Sequence, residues 1–201
     1  EIRLSLVGSE MCIRDRHMIA WNDVLNQGIE RLDQSMVIQQ WLPGQDKNTV
    51  RFAESGGKII MSNHKSFYFD MTYAQTPLSS TYKFSPKHYG INDENAILGI
   101  EGETWTEWID SFSFVQFKIH PRLEALSEVA WTPESKRNYA QFVKRYMAYK
   151  SVYKPLGINF AADEIAMPKN PFKRALIYRK FFSGDPEYEF RENNKLKEIR
   201  K

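Results

Sequence analysis

The stretch Ala96-Ile-Leu-Gly-Ile-Glu-Gly-Glu-Thr-Trp-Thr-Glu107 decides the fold, together with His120-Pro-Arg-Leu-Glu-Ala-Leu-Ser-Glu-Val-Ala-Trp131 a short way on. An apolar run ends in a Trp105-x-Glu107 couple, and a helix-rich segment follows at once. Strand followed by helix is the repeating unit of parallel α/β folds. On an extended chain Trp105 and Glu107 point to the same side, because side chains alternate with a period of two. An indole face beside a carboxylate suits a sugar ring, which offers CH patches to the indole and hydroxyls to the carboxylate.

Working outward, the same rhythm recurs. Met18-Ile-Ala-Trp21 reads as a short apolar strand, followed by a turn-rich connection to Gln34. Ser35-Met-Val-Ile-Gln-Gln-Trp41 is a second strand, closed by Leu42-Pro43-Gly44. Thr49 to Ser55 has a helical pattern stopped by Gly56-Gly57, and Lys58-Ile-Ile-Met-Ser62 is a third strand leading into an aromatic loop, Phe67-Tyr-Phe-Asp70. A fourth strand starts at Ala96. Helices then dominate. Trp108, Phe112, Val115 and Ile119 recur at helical spacing, and a helix after Pro121 should bury Leu123, Leu126 and Val129 or Ala130. Thr132-Pro133-Glu134 predicts the start of another helix, with Tyr139, Phe142, Val143, Tyr146 and Met147 along it and Gly157 at its stop. Beyond Ala162 the pattern is charged and without a clear period, which predicts a peripheral helix or two with a loose end.

The 201 residues suffice for one core but fall short of a (β/α)8 barrel of roughly 250 residues. Of 28 basic and 25 acidic residues, the first sixteen hold three of each and residues 163–201 hold ten and seven. Residues 17–162 are left neutral, so no phosphate-binding surface and no nucleic-acid partner are expected. No run approaches the ~18 apolar residues of a membrane span. Leu6-Val-Gly-Ser-Glu-Met-Cys-Ile-Arg-Asp-Arg16 reads as the translation of a transposase adapter used in preparing sequencing libraries. Residues 1–16 are therefore expected to be an artefact, with native sequence from His17 and more of it upstream. Cys12 falls in that stretch, so cysteine usage says nothing of compartment. The expected organisation is an α/β core over residues 17–162 and a peripheral C-terminal helical extension over 163–201.

Trp21, Trp41 and Trp105 sit at or beyond the ends of proposed strands, and a Tyr68-x-Asp70 pair follows another. In a parallel barrel the C-terminal ends of the strands form the active-site face. In order, Ile19-Ala-Trp-Asn-Asp23, Gln39-Gln-Trp41, the Ser62 to Asp70 segment, the Gly99 to Glu107 segment and Pro121 through Trp131 resemble successive motifs of glycoside hydrolase family 20, the β-N-acetylhexosaminidases. The resemblance covers most of residues 18–160. It implies an α/β fold, the C-terminal half of a (β/α)8 TIM barrel, with strands five to eight followed by C-terminal helices. It also implies retaining, substrate-assisted hydrolysis of terminal β-linked GlcNAc or GalNAc, with no metal or organic cofactor. On this resemblance Tyr68 holds the acetamido oxygen that attacks the anomeric carbon. Trp21, Trp41 and Trp105 wall the sugar, and Asp70 and Glu107 accept from its distal hydroxyls.

Departures from the family pattern matter equally. The family's Asp-Glu pair, in which Glu is the acid/base and Asp orients the acetamido N–H, belongs to the fourth barrel strand and is expected upstream of this chain. Asp163-Glu164 follows the last core helix and Asp93-Glu94 lies in a turn, so neither is read as that pair. The isolated chain is therefore expected to be inactive. The Thr76 to Pro86 segment reads as a short loop without tryptophan. His64 and His88 lack metal-ligand spacing, and Arg122 is expected to anchor a helix through an ion pair. Two other readings fit the same aromatics: a carbohydrate-binding module, which calls for a β-sandwich, and a half-barrel that associates with itself through an exposed sheet edge. Family members occur in secreted, lysosomal and cytoplasmic settings, so the resemblance selects no compartment.

Overall fold

The computed structural model describes residues 17–28, 32, 33, 35–42, 44 and 46–199. The proposed artefact, residues 1–16, lies outside them. The described residues form two compact units, one up to His64 together with Ser85–Glu101, the other Lys65–Phe84 together with Gly102 onward.

The first unit is built on a four-stranded sheet in the order β1-β2-β3-β4, with β1 at Ile19–Trp21, β2 at Val37–Gln40, β3 at Lys58–Met61 and β4 at Ile97–Ile100. All three pairings are parallel, which requires a crossover between neighbours. A 3-10 helix, Asn22–Gln27, begins the first crossover, and α1, Asp46–Glu54, belongs to the second. Ile38, Ile59, Met61 and Phe52 of α1 are fully buried beside Leu25 and Met36. The glycine stop after α1 has two causes. Gly56 takes φ +97°, which disfavours a side chain, and a Cβ on Gly57 would fall 2.2 Å from the Phe52 ring. Between β3 and β4 the register slips: Ile59 pairs with Ile97, but Ile60 pairs with Gly99. The extra residue, Leu98, is left 58% exposed.

The second unit is helical. It contains most of α2 (His64–Phe67), then α3 (Leu78–Tyr82), α4 (Phe112–Ile119), α5 (Arg122–Trp131), α6 (Tyr139–Tyr153), α7 (Asp163–Ala166), α8 (Pro171–Phe182) and α9 (Tyr188–Ile199). One apolar cluster gathers Tyr73, Phe114, Phe117, Ala161 and Ile165, with Phe190 of α9 stacked on Phe114 at 4.5 Å. Another gathers Leu78, Tyr82, Ala125, Phe142, Tyr146 and Tyr153.

Several local expectations are corrected here. The Thr76 to Pro86 segment is no surface loop: it carries α3, and Thr76, Leu78, Thr81, Tyr82, Phe84 and Ser85 are all buried. Trp108 lies outside α4, which starts with Ser111 as its cap. Helix α5 buries Arg122 and Ala125, whereas Leu123 is 39% exposed. The long helix starts seven residues after Thr132, because Asn138 supplies the cap, its side chain accepting from the Gln141 N–H at 3.1 Å. Beyond Ala162 the described residues form three helices, and α9 buries Glu189 and Asn193. The signal was hidden because α9 turns polar residues inward, against the usual amphipathic pattern.

Candidate functional site

In the first unit, parallel register puts Trp21 of β1 beside Gln39 of β2. Partners in register share a face of the sheet, and Trp41 follows two residues after Gln39. The Trp21 and Trp41 rings meet edge to face with centroids 6.3 Å apart. Trp41 is held firmly. Its indole N–H donates to Asp23 Oδ2 at 2.6 Å. The fully buried Asn22 accepts from the backbone N–H groups of Trp41 and Leu42, each at 3.2 Å. Beside them Gln39 Nε2 donates to Ser62 Oγ at 2.9 Å and to Glu101 Oε2 at 2.5 Å. Asn22 and Asp23 are thus the positioners of Trp41. Their signal was in the sequence, since a polar pair directly after a strand often satisfies the backbone of a neighbouring turn.

In the second unit, Tyr68 forms an isolated parallel bridge with Glu103. The Phe69 N–H donates to Glu103 O at 2.7 Å, and the Glu103 N–H donates to Phe67 O at 2.8 Å. This splice sets Tyr68 opposite the segment leading to Trp105, and their ring centroids lie 6.5 Å apart. It works because residue 102 is glycine. A Cβ there would stand 2.7 Å from the Phe69 ring and 3.0 Å from Leu126. Tyr68 is 6% exposed and Asp70 3%, whereas Trp105 is 43% exposed and offers its ring to solvent.

Asp70 Oδ1 is buried with no hydrogen-bond partner among the described residues. Burial raises the Asp70 carboxyl above the ordinary value of 3.8. Hydrogen bonding at its own backbone, the Lys118 and Arg122 charges and the Trp105 backbone oppose that shift. The site therefore contains a carboxylate partly starved of solvation, in reach of the Trp105 backbone. In such surroundings a hydrogen bond to the carboxylate is stronger than it would be in water.

Arg122 is the main support of this loop. It is fully buried, and its expected ion pair is replaced by carbonyl groups. Its guanidinium donates to Phe69 O (2.5 Å), Met71 O (3.2 Å from each terminal nitrogen), Thr76 O (3.3 Å) and Lys118 O (2.7 and 3.0 Å). It also lies over the Tyr73 ring at 3.9 Å. Rigid planar donors in a fork explain why arginine serves here. Glu107 sits elsewhere in character: β4 ends at Ile100 and Glu107 opens an exposed turn, so strand alternation does not govern its direction relative to Trp105. Lys118 and Glu189 escaped the sequence reading. The first fills a helical position on the Phe114 side of α4, where a charge on an apolar face was the available signal.

Asp163 and Glu164 open α7, and Asp163 pairs with Lys150. They line a separate cleft of about 740 Å³ with Tyr139, Val143, Met147, Met167 and Lys173, remote in sequence from the strand ends. No cluster of three His, Cys, Asp or Glu side chains suited to a metal occurs among the described residues. No described helix is long and apolar enough to cross a membrane.

A sequence model described as "Glycosyl hydrolase family 20, catalytic domain" matches residues 4–134. The chain belongs to glycoside hydrolase family 20. It is 25% identical over 173 residues to the beta-N-acetylhexosaminidase of Cellulomonas fimi, a match covering 78% of this chain and 34% of that protein. The GH20 beta-N-acetylhexosaminidase of Streptomyces coelicolor A3(2) superposes with a TM-score of 0.72 at 18% identity, covering 82% of this chain and 35% of that one. The GH20 exo beta-N-acetylglucosaminidase of Vibrio harveyi, solved in complex with N-acetylglucosamine, gives 0.63 at 23% identity over 73% and 25% of the two chains. At these identities the structural likeness establishes the fold, a parallel sheet with helices as in family 20 barrels. This family 20 chain spans about a third or less of these relatives' length. Every candidate residue from Trp21 to Glu107 lies inside the family match, and Glu189 lies outside it.

Proposed function

We propose that this chain is the portion of a β-N-acetylhexosaminidase that carries barrel strands five to eight, and that it binds the terminal GlcNAc or GalNAc of a β-linked glycan. The observation that carries this reading is the joining of Tyr68, Asp70 and Trp105 within one unit, inside the segment matched to the family. A parallel sheet with helices also speaks against the β-sandwich of a carbohydrate-binding module.

The proposed chemistry follows the family's substrate-assisted route, in which the sugar's 2-acetamido oxygen attacks the anomeric carbon and the configuration is retained. Tyr68 would donate its hydroxyl hydrogen to that oxygen and hold it in line, where small misplacements cost rate steeply. Trp105 would pack on the sugar's CH faces and keep water away. Asp70 and Glu107 would accept from hydroxyls around the 4- and 6-positions. The proton donor and the acetamido-orienting Asp are proposed to belong to the preceding part of the enzyme, and the mechanism needs no metal.

Two assays test this. The purified 201-residue chain should release no aryl alcohol from an aryl β-N-acetylglucosaminide. Steady release would show that an acid/base is present and overturn the assignment. In the full-length enzyme, Tyr68→Phe should lower kcat by about tenfold or more with KM changed far less, as expected when an interaction made mainly in the transition state is lost. An unchanged kcat removes the role given to Tyr68.

A further inference from the structure

We infer that Glu189, in the last helix, is a positioning residue for Asp70: it fixes the loop that presents this carboxylate and thereby sets discrimination at the sugar hydroxyl the carboxylate accepts. The inference rests on the reading of Asp70 as a sugar contact. It goes beyond that reading because Glu189 lies outside the family-matched residues 4–134.

The geometry is a two-sided clamp on five residues. Glu189 is 2% exposed, and each of its oxygens has a separate task. Oε1 accepts from the Thr72 hydroxyl at 2.9 Å, and Oε2 accepts from the Tyr73 N–H at 3.1 Å. On the other side the Arg122 guanidinium takes the carbonyls of Phe69 and Met71, the two residues flanking Asp70. An acid therefore holds the donors of this loop and a base holds its acceptors. Held between them, Asp70 keeps its Oδ1 buried and without a hydrogen-bond donor among the described residues.

A carboxylate is suited to this work because it only accepts, through two equivalent oxygens. An amide in its place keeps one acceptor only, so the Thr72 hydroxyl, which already accepts from the Ala74 N–H, would have to turn and accept where it now donates. Charge balance adds a reason. Lys118 is 1% exposed and its Nζ has no hydrogen-bond partner among the described residues, so with Arg122 it makes two buried cations. Asp70 and Glu189 are the acids whose charges act on Lys118.

A purely structural Glu189 would affect stability and weaken every sugar alike. A positioning Glu189 acts through Asp70 and affects one hydroxyl. The test titrates the full-length enzyme, unsubstituted and with each substitution in this chain, with N-acetylglucosamine and with its 4-deoxy analogue by calorimetry or ligand-observed NMR. The unsubstituted enzyme should prefer N-acetylglucosamine by about tenfold, the value of one hydrogen bond to a charged acceptor. In Glu189→Gln this preference should collapse toward one, while affinity for the 4-deoxy sugar holds within about threefold. Thr72→Val removes the donor to Oε1, leaving that oxygen and the Ala74 N–H without this partner, and should lower the preference likewise, which gives a second variant should Glu189→Gln fold poorly.

A preference retained in both variants overturns the inference and leaves the sugar reading standing. An equal loss for both sugars overturns it too, by marking Glu189 as structural only. An unsubstituted enzyme with no preference, or with no binding, overturns the reading of Asp70 and this inference with it.

Discussion

Replacing Arg122 by methionine should be the most damaging single change in the second unit. The guanidinium satisfies the carbonyls of Phe69, Met71, Thr76 and Lys118, and no water reaches a fully buried side chain to take its place. Each buried acceptor left without a donor costs about 1–3 kcal/mol. Lys118 O keeps a second donor, the Tyr73 hydroxyl at 3.2 Å, so about three carbonyls are truly stranded. Relief from burying the cation offsets part of that loss, which leaves a destabilisation of about 4 kcal/mol. Against the roughly 5–15 kcal/mol of a typical domain, this is enough to shift the urea midpoint far to the left. Arg122→Lys retains the charge but reaches the carbonyls from a single nitrogen, so about half the loss is expected. The assay is equilibrium urea unfolding of the 201-residue chain, followed by far-ultraviolet circular dichroism at neutral pH. A loss below about 1 kcal/mol for Arg122→Met, with an unchanged slope, would refute the view that these carbonyls depend on Arg122.

Lys118→Met should do the opposite. Burial lowers Lys118 from 10.5 to about 8, Arg122 adds to that shift, and Glu189 and Asp70 counter it. Between these values the unfolded chain holds a proton the folded chain has lost, so stability should rise as pH goes from about 8 to 10.5. The methionine variant should gain up to about 3 kcal/mol at pH 7 and lose about half of that rise, Lys197 with the same shift supplying the other half. A destabilised variant in urea unfolding at pH 7 would count against it. Gly102→Ala forces a methyl against Phe69 and should cost about 1–3 kcal/mol in thermal unfolding. Native stability in that variant would mean the splice between Phe67–Phe69 and Glu103 tolerates movement.

The sequence by itself determined the strands and their order. Alternating apolar runs at Ile19–Trp21, Val37–Gln40, Lys58–Met61 and Ile97–Ile100 marked all four strands, because a buried parallel strand reads as a short apolar run whatever surrounds it. The aromatic and acidic residues at or beyond strand ends were legible for the same reason. Tertiary structure decided which polar groups were buried. Nothing in the spacing of Arg122, Lys118 and Glu189 separates them from surface charges, since burial depends on segments far apart in sequence. Glu189 and Thr72 are 117 positions apart. Whether Thr76–Pro86 was a loop or a buried helical turn depended likewise on partners, among them Arg137, which donates to Phe84 O at 2.8 Å. Local chemistry writes helices, strands and caps into adjacent residues. The charge state and stiffness of Asp70 come from distant side chains that only the folded chain brings within a hydrogen bond of its loop.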